Sequence, residues 1–158
     1  MIQIIHGLKL WSISYYVYFY HRWAFLMVMI RRANLADCNA IRTVFYRSIM
    51  AIRVTDYTQA HLNAWAGKHD AVRLWENKVE QQYFFVAERS GEILGFSSLD
   101  SHAWLDLLYV APQAQGQAVA AKLLAQIELL ASHLNYPEIW VDASVLARLF
   151  DNSRICVA

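Results

Sequence analysis

The chain has 158 residues, of which 58% are hydrophobic and 17% charged, and its formal net charge is +1. That length supports a single core, the apolar content excludes a disordered tail protein, and the near-zero charge gives no electrostatic case for nucleic acid, which needs a concentrated basic face. Two cysteines, Cys38 and Cys156, make no disulfide framework, and the six histidines show no paired ligand spacing, so no metal site is expected.

Residues 1–28 stand apart. They carry Trp11, Tyr15, Tyr16, Tyr18, Phe19, Tyr20, Trp23 and Phe25 and no acidic side chain. Residues 8–30 reach the roughly 20 positions of a membrane span. His21 and Arg22 fall near the middle, however, where an arginine costs about 2.5–3.5 kcal/mol, so a membrane-associated protein is the less favoured class. No small-residue cleavage site closes the apolar stretch, as a signal peptide would require. The expectation is an apolar, aromatic extension over 1–28 and one domain over 29–158. The extension reads either as a β-prone added segment at 15–20 or as translated upstream sequence ahead of a start at Met27 or Met29.

In chain order, residues 29–33 read as a short strand and Asn34 to Asp37 as a turn. Asp37 caps a helix over 38–50 with Ile41, Val44, Phe45 and Ile49 on one face. Thr58 opens a helix with Leu62, Trp65 and Ala66 inward, and 68–82 reads as a further helical stretch. A strand over 83–88, a tight turn at Arg89-Ser90-Gly91-Glu92 and a return strand over 93–99 form a hairpin. Residues 105–110 add a third strand. After a break at Ala111-Pro112-Gln113-Ala114, a helix over 118–134 buries Val119, Leu123, Leu124, Ile127, Leu130 and Leu134, and Asn135-Tyr136-Pro137 ends it. A strand at 139–141 follows, and Ser144 caps a short last helix through Leu149. The order β-α-α-β-β-β-α-β-α is a mixed α+β pattern.

The strand Leu108-Tyr109-Val110-Ala111-Pro112 leads into Gln115-Gly116-Gln117-Ala118-Val119-Ala120, which is similar to the acetyl-CoA signature Arg/Gln-x-x-Gly-x-Gly/Ala. Thr55-Asp56-Tyr57-Thr58 and Leu62-Asn63-Ala64-Trp65-Ala66 are similar to a second-helix segment of one bacterial subgroup. With the element order, these stretches resemble the GNAT N-acetyltransferase superfamily over roughly residues 29–148. The resemblance implies a central, twisted, mostly antiparallel sheet flanked by helices. It also implies direct transfer from acetyl-CoA, the co-substrate, to the amine of a small-molecule or peptide acceptor, in a bacterial, cytoplasmic protein that uses neither a metal nor nucleic acid.

The chemistry agrees. A pyrophosphate needs several N–H donors pointing one way and small side chains that let the backbone approach, and a loop entering a helix N-terminus supplies both. Gln115, Gly116, Gln117, Ala118, Val119 and Ala120 are the candidates; the alternative is a tight strand-to-helix turn with close packing. Ala118 stands where the family has glycine. Its methyl either narrows the approach or is tolerated with negative φ. In the family the preceding strand splays from its neighbour, so Leu108, Tyr109 and Val110 would meet the pantetheine arm. The Leu108 N–H would polarise the thioester carbonyl. Asp106, placed by alternation on the face of Leu108, is the first candidate base, or else a carboxylate held in a structural hydrogen bond. Asp100, His102 and Glu88 are weaker candidates for that role. The resemblance puts Tyr57, Trp65 and His102 at the acceptor, with core packing as the alternative for the two aromatics.

After Arg148 the pattern departs from the family. The aromatic whose hydroxyl protonates the leaving thiolate has no match, Asp151 standing in its place, and the last strand pair is missing. A thiol with pKa about 8.5 leaves without much help, so the expectations are an acetyltransferase or, alternatively, a catalytically impaired CoA-binding remnant. An open edge at residues 139–141 would invite a homodimer.

Overall fold

The computed structural model describes residues 27–53, 57–141 and 155–156. The expected extension before Met27 and the expected helix from Ser144 to Leu149 lie outside them. Six strands form one sheet in chain order: β1 (Met29–Arg32), β2 (Tyr83–Arg89), β3 (Glu92–Leu99), β4 (Trp104–Val110), β5 (Glu138–Val141) and β6 (Ile155–Cys156). All neighbours are antiparallel except β4 and β5. The helices are α1 (Cys38–Met50), α2 (Gln59–Ala66), α3 (Val72–Gln81) and α4 (Val119–His133).

This is the mixed α+β, mostly antiparallel sheet flanked by helices that the sequence predicts. Among the described residues, β5 is followed by the two-residue β6, which lies antiparallel on Glu138 and Ile139. The β5 edge expected to be open therefore carries a strand over those two residues. The single helical stretch expected over 68–82 is a 3₁₀ turn, Gly67–Asp70, followed by α3. Trp75 anchors that join: its ring is buried and its indole N–H donates to Lys68 O at 3.0 Å.

Two layers of side chains sandwich the sheet. On one face Phe45 of α1 and Trp75 of α3 meet Phe96 and Tyr109, and Phe84 stacks on Phe96 at 5.6 Å. Deleting one such buried aromatic costs about 3–5 kcal/mol. On the other face α4 lies close because Gly95 has no side chain. A Cβ there would sit 2.8 Å from Tyr109 O and 3.1 Å from Val119 Cγ1. This close approach sets the start of α4 directly over the end of β4.

Before α1, Asn34 and Asp37 form a capping box, and the Asp37 carboxylate takes both Arg31 Nη atoms at 2.8 Å. Arg31 Nε donates to Glu88 at 2.6 Å, which ties β1 to β2 and to the entry of α1. The capping role expected of Asp37 belongs to this turn, since its side chain does not cap α1.

Candidate active site

The site begins with an extra residue in β4. Ser98 and Leu99 are adjacent in β3, yet they pair with Leu107 and Leu105, so Asp106 is a β-bulge. A bulge bends its strand, increases the local twist and re-aims side chains. Before it, β4 is bridged to β5 at Trp104↔Trp140 and Leu105↔Val141, and Trp140 N–H donates to Ala103 O at 2.9 Å. Among the described residues, which on that strand end at Val141, no further bridged pair follows on that side. Beyond the bulge, Ala111 N–H donates to Leu94 O at 2.8 Å. Alternation then turns the backbone groups of Leu107 and Tyr109 toward β3 and those of Leu108 and Val110 away from it. The Ser48 hydroxyl reaches Val110 O at 3.1 Å.

The bulge also breaks the expected grouping of Asp106 with Leu108. Leu108 pairs with Ser97, which shares the α4 face with Gly95. Asp106 points the other way, toward α3. Its Oδ2 is ion-paired with Lys78 and accepts from Gln82 Nε2 at 2.8 Å. The Gln82 Oε1 is buried and has no hydrogen-bond partner. Simple period-two alternation fails here because one inserted residue inverts it.

Tyr109 lies on the face of Asp106. Its ring packs edge-on to Phe45 at 5.1 Å and stacks on Phe96 at 5.4 Å. Burial pushes its hydroxyl up to about 12, against a hydrogen bond from Trp65 that lowers it, with the Asp106 charge raising it further. The hydroxyl is therefore neutral at ordinary pH. Tyr57 stands 6.0 Å from Trp65, ring to ring, so Tyr57, Trp65, Tyr109, Asp106 and Lys78 form one chain of neighbours. His102 does not join it. The ring is 86% exposed on the turn before β4, where Asp100 Oδ1 accepts from the His102 and Trp104 N–H groups. Glu88 is taken up by Arg31.

The other end of β4 runs through the 3₁₀ turn Pro112–Ala114 into Gln115, Gly116 (φ 74°), Gln117 and Ala118 (φ 58°). Of the two alternatives for Ala118, tolerance with negative φ is excluded: alanine here takes the left-handed conformation that glycine takes without strain. No side chain caps α4, and its first bond runs from Lys122 N–H to Ala118 O at 3.1 Å. The N–H groups of Val119, Ala120 and Ala121 are thus left without helix partners, at the positive end of the helix dipole. A Cβ on Gly116 would meet nothing within 4 Å, so the loop is open on that side.

The bracing of the loop was not read from the sequence. Arg89 Nη1 donates to Gln117 Oε1 at 3.0 Å, Gln117 Nε2 to Gln113 O at 2.8 Å, and Gln113 Nε2 to Glu92 Oε1 at 3.1 Å. The β2–β3 turn therefore holds the loop through side-chain amides. A pair of glutamines four apart, Gln113 and Gln117, was the available signal. Among the described residues no group of three metal-ligating side chains occurs, and no helix is long and apolar enough to cross a membrane.

Chemically, the arrangement offers N–H donors at a helix start to an anion and, on β4, a carboxylate ion-paired with Lys78. Comparison with known proteins fits these parts. The model of an acetyltransferase (GNAT) domain matches residues 53–150. A GCN5-related N-acetyltransferase from Rhodopseudomonas palustris superposes with TM-score 0.75 at 28% identity, over 78% of each chain. The PaiA N-acetyltransferase from Thermoplasma acidophilum, solved with coenzyme A, shares the fold with TM-score 0.71 at 16% identity, over 79% of this chain and 84% of that one. An N-acetyltransferase from Staphylococcus aureus does so with TM-score 0.54 at 24% identity, over 78% and 79%. Comparison with curated proteins finds no match.

Proposed function

The chain belongs to the GNAT acetyltransferase family, and we propose that it transfers an acetyl group from acetyl-CoA directly to an amine of a small-molecule or peptide acceptor. The observation that carries this reading is the left-handed loop feeding an uncapped helix at the end of β4. When bound, acetyl-CoA supplies an activated acetyl thioester. The helix-start N–H groups of Val119 and Ala120, reached through the open turn Gln115–Ala118, hold the pyrophosphate. Leu108, Tyr109 and Val110 meet the pantetheine arm along the β4 edge that faces away from β3. The Leu108 N–H donates to the carbonyl oxygen as charge develops on it, the kind of donor whose removal costs 10²–10³-fold elsewhere. Asp106 takes the proton from the acceptor amine, directly or through water. Tyr57 and Trp65 line the acceptor side. His102, exposed and apart, receives no role.

Occupation of Asp106 by Lys78 favours a second reading, a domain that binds CoA without turning it over. Two measurements separate the readings. A melting temperature unmoved by millimolar acetyl-CoA would count against both. Binding followed by thiol release with members of an amine panel supports the transferase, and binding without release supports the binding domain.

A further inference from the structure

Lys78 is the amine that Asp106 touches. Its ammonium lies against the Asp106 carboxylate, with the two side chains 24% and 29% exposed. Asp106 is the bulged residue of β4, two positions before Leu108, whose N–H points away from β3. The chain has four lysines, Lys9, Lys68, Lys78 and Lys122, and among the described residues only Lys78 is ion-paired with a carboxylate. One further atom fits a modified Lys78. Gln82 donates its Nε2 to the same Asp106 oxygen, and its Oε1 is buried with no partner. An amide N–H formed on Lys78 would offer that acceptor a partner, relieving the cost that an orphaned buried acceptor carries.

Resting on the acetyl-CoA reading above, we propose that Lys78 is the chain's own acceptor: it is acetylated within the same molecule when no external amine competes. The Lys78 ammonium passes one proton to Asp106. Its nitrogen then forms the N–C bond to the acetyl carbonyl while the C–S bond breaks. The second proton leaves nitrogen for the thiolate, giving CoA thiol, a neutral acetamide on Lys78 and a protonated Asp106 that returns its proton to solvent. Acetylation removes the positive charge from Asp106, so the modified chain presents a carboxylate free of its ion pair to an incoming amine.

The full chain incubated with acetyl-CoA alone is expected to gain one acetyl group, mapped by peptide mass spectrometry to Lys78. The rate should be independent of protein concentration, as an intramolecular step requires. Lys78→Arg keeps the charge and should lower thiol release without acceptor by roughly tenfold or more. A second readout does not depend on turnover. Unacetylated CoA should shield Lys78, and not Lys68, from an amine-reactive reagent. Acetyl-CoA that raises the melting temperature while Lys78 stays unmodified, or modification that accelerates with protein concentration, overturns the proposal and leaves the acetyl-CoA reading standing. Failure of CoA to shield Lys78 overturns it as well. A melting temperature unmoved by acetyl-CoA sinks the acetyl-CoA reading itself, and the proposal with it.

Discussion

Replacing Ala118 with glycine should stabilise the protein, against the usual rule that glycine weakens a helix start. Ala118 holds φ 58° and ψ 17° immediately before α4. An L-residue pays about 1–2 kcal/mol for that conformation, and glycine pays about 0.4–1 kcal/mol in extra chain entropy on folding. The balance is about 0.5–1 kcal/mol in favour of Ala118→Gly, or about 1–4 °C in melting temperature for a domain of this size. Gly116 provides the control of opposite sign. It holds φ 74° with open space where a Cβ would go, so by the same balance Gly116→Ala should cost about 0.5–1 kcal/mol. Equilibrium denaturation reads both as shifts in midpoint at unchanged slope. A less stable Ala118→Gly would refute the left-handed assignment. The same pair tested by acetyl-CoA titration separates strain from access: tighter binding in Ala118→Gly means the methyl had also crowded the ligand.

Gly95→Ala should destabilise by about 1–3 kcal/mol, because the new methyl meets Tyr109 O, a backbone atom that cannot step aside, as well as Val119; denaturation midpoints check it. Asp37→Asn should cost about 1–3 kcal/mol at neutral pH by removing the charge that takes both Arg31 Nη atoms, leaving Arg31 with Glu88 alone. Arg31, first among the causes, holds the Asp37 carboxyl below its ordinary 3.8. Its contribution is therefore present above that value and lost as pH falls through the lowered one, and the gap between wild type and variant should close in acid. Tyr109, raised to about 12 from 10, works in the opposite sense. Its contribution is complete below 10 and fades as pH climbs toward 12, and ultraviolet titration of tyrosinate should show one late-ionising group that moves later still in Trp65→Phe, which removes the hydrogen bond that lowers it.

Much of the fold was legible in spacing. Ile41, Val44, Phe45 and Ile49 at helical period are buried in α1, and Gly91 turns the β2–β3 hairpin at positive φ. The turn from Gln115 to Ala120 was legible as a strand-to-helix junction, since Gly116 and the helix-forming run after it mark the end of β4 and the start of α4. Asp106 was misplaced because a bulge leaves no mark in composition: the stretch from Trp104 to Val110 alternates as well with the extra residue as without it. The partners Lys78 of α3 and Gln82 just past its end lie far away in sequence, and no local pattern announces a tertiary ion pair. The Arg89–Gln117–Gln113–Glu92 brace escaped for the same reason. The sign of φ at Ala118 escaped because alanine predicts the opposite of what the family's glycine position demands.

The bulge at Asp106 makes the bend of β4 a one-codon feature. Removing that codon would put Leu107 next to Leu105 and restore the even alternation of an unbent strand against β3. The step between an even β4 and one that turns a carboxylate toward Lys78 is thus a single in-frame insertion. Natural variation can reach such a change in one event, and a deletion series could reverse it.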